Sequence, residues 1–462
     1  MSTNRDTSVP WSTALLTAVA AVSWSFLAMS ATAALALHLL GADAAGSLGP
    51  MSAAAVVLSV NGRVVPSGNA GILGLEGARA EAAVDIAPLG VGLVGALLLA
   101  WIFLRSLRSA GTAPAELAAR AGAVLLVFLA MLAAFGWAGN DTVTIDGSAL
   151  PLGDLGDMPD IGLPDEIAGL LPDDLGDGLA GLGGAEVTVA FRCDMGATLA
   201  GGALWAAGVL LLALLVSRRV PLPRGWEAAH RTVRPAAAAV CSVLLLAVAA
   251  GWAAACWAAA GDDHPARIFG SALLCGPNGV WLGLSLGLFV PWRGLATGEL
   301  ARVLPDPLDR LLTGSGSERP VGVLRLAELD GRVWWLVAAA AAAMLCAGVL
   351  TAVRTPPGGS RAAFALRCGT CLGVATAVAL PPAGVLADVD AAANVSVLGF
   401  EAFGTRLGLH ASAAAGLLLG ALWGAAAGAA GALLTAARNG FADAVHAITR
   451  SRSRARATVP RA

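Results

Sequence analysis

The chain has 462 residues and a formal net charge of −2, from 29 basic and 31 acidic residues. Hydrophobic residues make up 57% of it, only 13% are charged, and the mean hydropathy is +0.76. Because charged residues normally make up about a quarter of a soluble domain, this composition excludes a water-soluble protein and predicts an integral membrane protein. Every basic residue is arginine and tyrosine is absent, which we interpret as the bias of an actinobacterial genome of high GC content.

Nine runs of the sequence are long and apolar enough to cross a bilayer. A spanning helix needs about 20 mostly apolar residues, since each residue rises about 1.5 Å and the hydrocarbon core is about 30 Å thick. The runs are 12–40, 87–104, 121–139, 196–217, 235–260, 268–291, 333–353, 368–387 and 410–437. The first run is longer than the core of a signal peptide, which favours an uncleaved first span.

Arginine placement predicts the orientation, because short cytoplasmic loops carry an excess of positive charge. Three arginine-rich segments stand out: Arg105, Arg108 and Arg120; Arg218, Arg219, Arg224, Arg231 and Arg234; and the tail Arg450, Arg452, Arg454, Arg456 and Arg461. These segments are predicted to be cytoplasmic. The sequence therefore predicts a bacterial plasma-membrane protein with both termini in the cytoplasm and with residues 41–86 and 140–195 outside.

Nine full crossings would place the termini on opposite sides, so one run is predicted not to cross. The run 268–291 contains Gly276, Pro277, Asn278 and Gly279, a proline between glycines that predicts a break in the helix. We expect a re-entrant segment here, which would leave residues 292–332 outside. Two alternatives stay open: a tenth span that the pattern misses, and nine spans with an external tail.

The predicted fold class is therefore an all-α polytopic membrane protein. It has about eight transmembrane helices, one re-entrant segment and a small extracytoplasmic cap containing β-hairpins. The predicted divisions of the chain are the N-terminus and first span (1–40), a β-hairpin loop (41–86), two spans (87–139), an acidic loop (140–195), two spans (196–260), the re-entrant segment and an outer loop (261–332), two spans (333–387), a strand-like loop (388–409), the last span (410–437) and the basic tail (438–462).

Short β-prone runs in the outer loops predict the cap. Residues 55–60 and 63–65 flank Asn61-Gly62, the pair favoured in two-residue hairpin turns; an unstructured loop is the alternative. Two further runs, Val187–Phe191 and Val395–Leu398, precede predicted spans. Because lone hairpins are marginal in water, we expect these runs to assemble together.

The acidic loop repeats aspartate at Asp154, Asp157 and Asp160, and continues with acidic pairs after Pro164 and Pro172. Carboxylates are preferred ligands of divalent cations. The spacing, however, is not that of an EF-hand. Acidic residues that cap short helices and face solvent explain the pattern better, with cation binding as the alternative.

Chemistry inside the membrane is not indicated. Apart from His38 and His410, at the predicted ends of helices, no Asp, Glu, Arg or His lies inside any of the runs, which argues against proton relays and intramembrane metal sites. Cys368 and Cys371 have the spacing of a redox motif but lack its βαβ context. With no lysine, a Walker motif is impossible. We therefore predict no catalytic residue, no cofactor and no metal ion, and expect the protein not to be an enzyme.

Lipid is the expected partner. The basic tail can extend the last helix with Phe441, Val445 and Ile448 on one face, and we expect it to bind anionic lipid. Glycines at nearly every fourth position of the last helix permit close helix packing, either within the chain or in a homo-oligomer. They are Gly416, Gly420, Gly424, Gly428 and Gly431. No nucleic acid is expected.

Several motifs spread over the chain give it a resemblance to a family. They are Leu73–Glu76, Val84–Gly90, Trp101–Arg108, Gly276–Gly279, Leu304–Asp309, Ala327–Arg332 and Leu398–Glu401. With them the chain resembles the streptophobe family, very hydrophobic membrane proteins of streptomycetes and their relatives. The resemblance implies a multi-pass membrane protein in such a host and implies neither an activity nor catalytic residues.

Two functions are compatible with these observations. A membrane scaffold or envelope sensor would use the outer cap to contact a partner. A facilitative transporter or channel for an apolar or neutral solute is the alternative, with a path near Asn278. A continuous cavity that meets residues 276–279 would favour the transporter, whereas a tightly packed bundle with a continuous cap would favour the scaffold.

Overall fold

The computed structural model describes residues 11–44, 46–69, 78–107, 114–146, 186–217, 227–297, 318–356, 358, 360–397 and 400–457. Within these ranges nine helices are long and apolar enough to cross a membrane, and they coincide with the nine predicted runs. The protein is therefore a multi-pass integral membrane protein. Much of each helix surface is exposed, as expected where lipid replaces protein neighbours.

The helices, in chain order, are α1 (Trp11–Leu40), α2 (Leu48–Ser59), α3 (Leu89–Leu107), α4 (Pro114–Ala138), α5 (Met195–Val216), α6 (Glu227–Ala259), α7 (Pro265–Gly287), α8 (Val323–Leu329), α9 (Trp334–Arg354), α10 (Arg361–Ala387) and α11 (Ala413–Ala457). The strands are β1 (Arg63–Asn69), β2 (Ala78–Ile86), β3 (Asp141–Asp146), β4 (Glu186–Asp194), β5 (Trp292–Thr297), β6 (Arg319–Val321), β7 (Val389–Val397) and β8 (Phe400–Ala411). Of these eleven described helices, only α2 and α8 are too short to span a bilayer.

The strands form one antiparallel sheet in the order β3-β4-β1-β2-β7-β8-β5-β6. Its strands join the helices almost directly: β2 leads into α3, β4 into α5 and β8 into α11, while α4 leads into β3 and α10 into β7. We call the helix ends that meet these strands the sheet end, and the other ends the opposite end. The predicted β-containing cap is thus confirmed as a small antiparallel sheet.

The predicted first hairpin is wrong in its first strand. Residues 55–59 belong to α2, where Val56 and Val57 are fully buried, and Arg63–Val65 begins β1. Asn61 has a φ of 65°, and the Gly62 N–H donates to the Val57 carbonyl at 2.9 Å. This geometry is a Schellman cap, so Asn61-Gly62 ends a helix and does not link two strands.

The two other strand predictions are confirmed in part or in full. Val187–Phe191 lies within β4, and residues 395–397 end β7. The acidic residues at 154–177 and the motifs at 73–76 and 304–309 lie outside the described residues. The tail continues α11 as a helix to Ala457, as predicted, but its predicted apolar face also lies outside the described side chains.

The expected break at Gly276–Gly279 is absent from the helix. α7 continues from Pro265 to Gly287 with Pro277 inside it. Proline has no N–H and so frees the carbonyl of Leu273, four residues earlier. That carbonyl lies against the backbone of Gly90 in α3, and such contacts with a neighbouring helix allow a helix to tolerate proline in a membrane.

The glycines of α11 pack inside the molecule. A Cβ at Gly420 would lie 2.7 Å from the carbonyl oxygen of Thr376 in α10, and one at Gly428 would lie 2.5 Å from that of Cys368. Gly431 lies against the backbone of Gly348 in α9. This is the intramolecular alternative of the sequence analysis. Homo-oligomerisation stays a prediction, and the glycines do not support it.

Candidate functional site

The side chain of Asn278 joins the middle of α7 to the start of α3. Its Nδ2 donates to the Ala87 carbonyl at 2.7 Å, and its Oδ1 accepts from the Leu89 N–H at 3.1 Å. The first N–H groups of a helix have no partner within it, so Asn278 supplies one. The transporter alternative places the Asn278 amide beside a solute path. Both the nitrogen and the oxygen of this amide, however, already bond to the backbone of the chain.

Contacts along α7 place much of it near the sheet end. Gly270 lies against Ala36 and Leu40 at the end of α1, and Gly287 lies against Leu336 and Ala340 in the first two turns of α9. Residues 270 and 287 of a straight helix are about 26 Å apart. If α7 ran parallel to α9 from the sheet end, Gly287 would therefore lie near the opposite end of α9. Gly287 instead contacts the start of α9.

The chain reverses direction directly after α7. Phe289 has a φ of 66°, and the Val290 N–H donates to the Ser285 carbonyl at 2.9 Å, which again is a Schellman cap. Trp292 then lies back over the helix, fully buried, with its Nε1 donating to the Ser285 hydroxyl at 3.0 Å. Strand β5 therefore starts beside the helix that precedes it.

A small cavity lies beneath this reversal, between α6, α7, α9 and α10. Its volume is about 20 Å³, and apolar side chains such as Trp281, Leu284 and Met344 line it. The Thr376 hydroxyl at its wall donates to the Gly420 carbonyl at 2.6 Å. A space of this size has room for about one water molecule, so this cavity by itself is not a continuous solute path.

Acidic and imidazole groups meet at the base of the sheet. His410 lies on β8, not in a helix as its position predicted, with its Nδ1 3.7 Å from the Asp388 carboxylate and its Nε2 3.8 Å from that of Asp390. Burial raises the pKa of Asp388, while the N–H of Ala411, which donates to it at 2.8 Å, and His410 oppose the rise. No group of three potential metal ligands occurs among the described residues.

The cysteine pair shows no redox arrangement. Cys368 and Cys371 both lie within α10, Cys368 is buried, and no disulfide joins the two. Cys193 lies in β4, where burial raises the pKa of its thiol. A raised thiol pKa lowers the thiolate fraction, which is the reactive form.

Sequence reasoning found Asn278 but not its partners. The pattern identified the segment because proline and glycine interrupt an apolar run, yet the amide bonds residues almost 190 positions away. The link between His410 and the two aspartates was also missed, because it depends on the pairing of β7 with β8. The only available signal was the aspartate pair itself, placed directly after a predicted span.

Comparisons with known proteins add no relative. No protein-family model matches the sequence, and no curated protein or solved structure matches it. The resemblance to the streptophobe family therefore remains a prediction from the motifs.

Proposed function

We propose that this protein is a non-enzymatic membrane scaffold or envelope sensor whose sheet contacts a partner or envelope component outside the cell. The construction of the sheet carries this proposal. Strands β2 and β7 pair along nine residues although more than 300 positions separate them, and β7 pairs with β8 along its whole length. Several strands of this sheet continue directly into membrane helices, which hold the strands in place. A partner that binds such a sheet would not have to pay the entropy cost of ordering it.

The proposed topology has eight crossings, with α7 entering and leaving on the side of the sheet. Three observations support it: the contacts of α7 with the sheet ends of α1, α3 and α9, the reversal at Phe289, and the short connection to β5. Both termini then lie on the opposite side. Arg105, Arg354 and Arg361 lie at that end too, which favours it as the cytoplasmic side.

Single-cysteine labelling tests this topology. Asp263 precedes α7 and Arg293 follows it, and both are exposed; Gly358, exposed between α9 and α10, is the control for the opposite end. In a cysteine-free background, an impermeant maleimide applied to whole cells should label Asp263→Cys and Arg293→Cys equally, and should label Gly358→Cys only after permeabilisation. Labelling of the first two from opposite faces would show that α7 crosses.

Charge reversal on the sheet tests the scaffold or sensor function. Arg293 and Arg406 are exposed on neighbouring strands β5 and β8. In a deletion strain, the variant with both changed to glutamate should fail to restore resistance to envelope stress, although its level in the membrane is normal. Arg105→Glu, an equal type of change at the opposite end, should restore resistance. Full restoration by the sheet variant would refute the proposal.

The transporter alternative gains no observation from the described residues. The cavity near α7 has a volume of about 20 Å³, and the Asn278 amide already bonds to the backbone of the chain. Uptake assays on the same deletion strain address it directly, since a transporter predicts a loss of solute uptake that Asn278→Ala would reproduce.

A further inference from the structure

Two arginines at the opposite end lack an acidic partner within the part of the chain that the structure describes. Arg354, the last residue of α9, donates from Nη2 to the Ser242 hydroxyl at 3.2 Å. Arg367 in α10 donates from Nη2 to the Pro356 carbonyl at 2.7 Å and lies over the Phe364 ring. These acceptors are neutral, so neither positive charge is paired with a carboxylate among the described side chains.

Each of these guanidinium groups also has a buried nitrogen without an acceptor. The atoms are Nη1 of Arg354 and Nε of Arg367. Removing a charged group from water is costly unless hydrogen bonds and an opposite charge replace the lost hydration. Each of the two guanidinium groups therefore keeps a hydrogen-bond donor without an acceptor among the described residues.

Arg120 shows what a compensated arginine looks like at the same end. Its Nε and Nη2 donate to the Glu116 carboxylate at 3.0 and 2.7 Å, and its Nη1 donates to the Ser106 carbonyl at 3.3 Å. This side chain is 7% exposed and has an anion from its own helix. Arg120 is thus paired with a carboxylate of the protein, whereas Arg354 and Arg367 bond only neutral acceptors among the described residues.

Arg354 and Arg367 lie on either side of the connection between α9 and α10, Arg354 as the last residue of α9 and Arg367 in the second turn of α10. Arg354 is two residues from Pro356, whose carbonyl holds the Arg367 guanidinium. The connection also starts α10, and the N-terminus of this 27-residue helix adds a favourable field for an anion. Since the helices on both sides are candidate membrane spans, the site lies where lipid headgroups lie.

We propose that Arg354 and Arg367 together bind a phosphate group, which an anionic phospholipid supplies at this depth of the membrane. Guanidinium groups match phosphate oxygens in geometry and charge. The site is separate from the basic tail, whose binding to lipid would be diffuse. It goes beyond the proposed function of the sheet, at the other end of the molecule.

Native mass spectrometry of the full chain in detergent, titrated with phosphatidylglycerol, tests the site. Near a membrane surface each arginine is worth about a fivefold change in affinity, so Arg354→Gln with Arg367→Gln should weaken the tightest binding about 25-fold. Arg105→Gln is the matched control, because this arginine is exposed at the same end and stacks over Trp101. It should leave the tightest binding unchanged.

Two further arms separate the sources of phosphate. Phosphatidylcholine should bind the wild-type protein with no difference from the double variant, because its choline offsets the phosphate charge. If millimolar inorganic phosphate displaces phosphatidylglycerol from the wild type only, the site binds phosphate without a lipid tail. This result would still support the binding of a phosphate group by the two arginines. Equal affinity of wild type and double variant for phosphatidylglycerol would overturn the proposal.

A photoactivatable phosphatidylglycerol keeps the test valid if the double variant does not fold. In wild-type membranes, the cross-linked peptide should include residues 354–367. Cross-links confined to the tail, residues 438–462, would overturn the proposal without any substitution.

Discussion

Gly428→Ala tests whether α10 and α11 are held together by backbone contact. The new Cβ would lie 2.5 Å from the Cys368 carbonyl oxygen, about 0.9 Å short of the 3.4 Å at which ordinary contact begins. The opposing atom is backbone and cannot rotate away, so one helix must shift. Because Gly420 and Gly431 make similar close contacts on the same helix, a shift at one point disturbs the others.

The expected cost is about 1–3 kcal/mol of unfolding free energy, the usual range for overpacking a well-packed interior. Gly208→Ala in α5 is the control, since no atom lies within 4 Å of the new Cβ. It should be neutral or stabilise by up to about 1 kcal/mol, because alanine favours the helix over glycine. Both variants can be unfolded with sodium dodecyl sulfate in mixed micelles and followed by tryptophan fluorescence.

The reasoning is refuted if Gly428→Ala unfolds at the same detergent fraction as the wild type and Gly208→Ala. The oligomeric state provides a second check. Because the glycine face is occupied by α10 and α9, Gly428→Ala should not change the oligomeric state in light scattering. A selective loss of an oligomer, with the stability of the subunit unchanged, would place the glycines at an interface between subunits.

Substitutions at three other positions have defined outcomes in the same unfolding assay. Asn278→Ala leaves backbone groups at the start of α3 without their partner and should cost about 1–3 kcal/mol; an unchanged midpoint would contradict the two hydrogen bonds. Phe289→Gly relieves a positive φ of 66° and should stabilise by about 1 kcal/mol, whereas Phe289→Val should destabilise; the reverse order would contradict the cap. Burial raises the pKa of Asp388, so ionisation there costs stability as pH rises from about 4 through the raised pKa. Asp388→Asn should therefore gain stability relative to the wild type across that window, and parallel pH profiles would refute it.

The positions of the spanning helices and of several strands follow from the sequence alone. A run such as 196–217 predicts α5 because length and apolarity are properties of consecutive residues, and the bilayer thickness fixes the length that is needed. β4 was likewise predicted from β-branched residues at 187–189. Residues 55–59 were predicted wrongly, since a short apolar run fits both a strand and a buried helix, and the Schellman cap at Asn61 settles which one forms.

Composition therefore determined that this is a multi-pass membrane protein, through the same apolar excess that excluded a soluble fold. Only the tertiary structure decided which strands pair, how α7 passes through Pro277 without breaking, and what satisfies Asn278. The physical reason is distance along the chain. A span is stabilised against lipid by its own residues, whereas the bond from Asn278 to Leu89 and the pairing of β2 with β7 join segments about 190 and 300 positions apart, and no local pattern records such a partner.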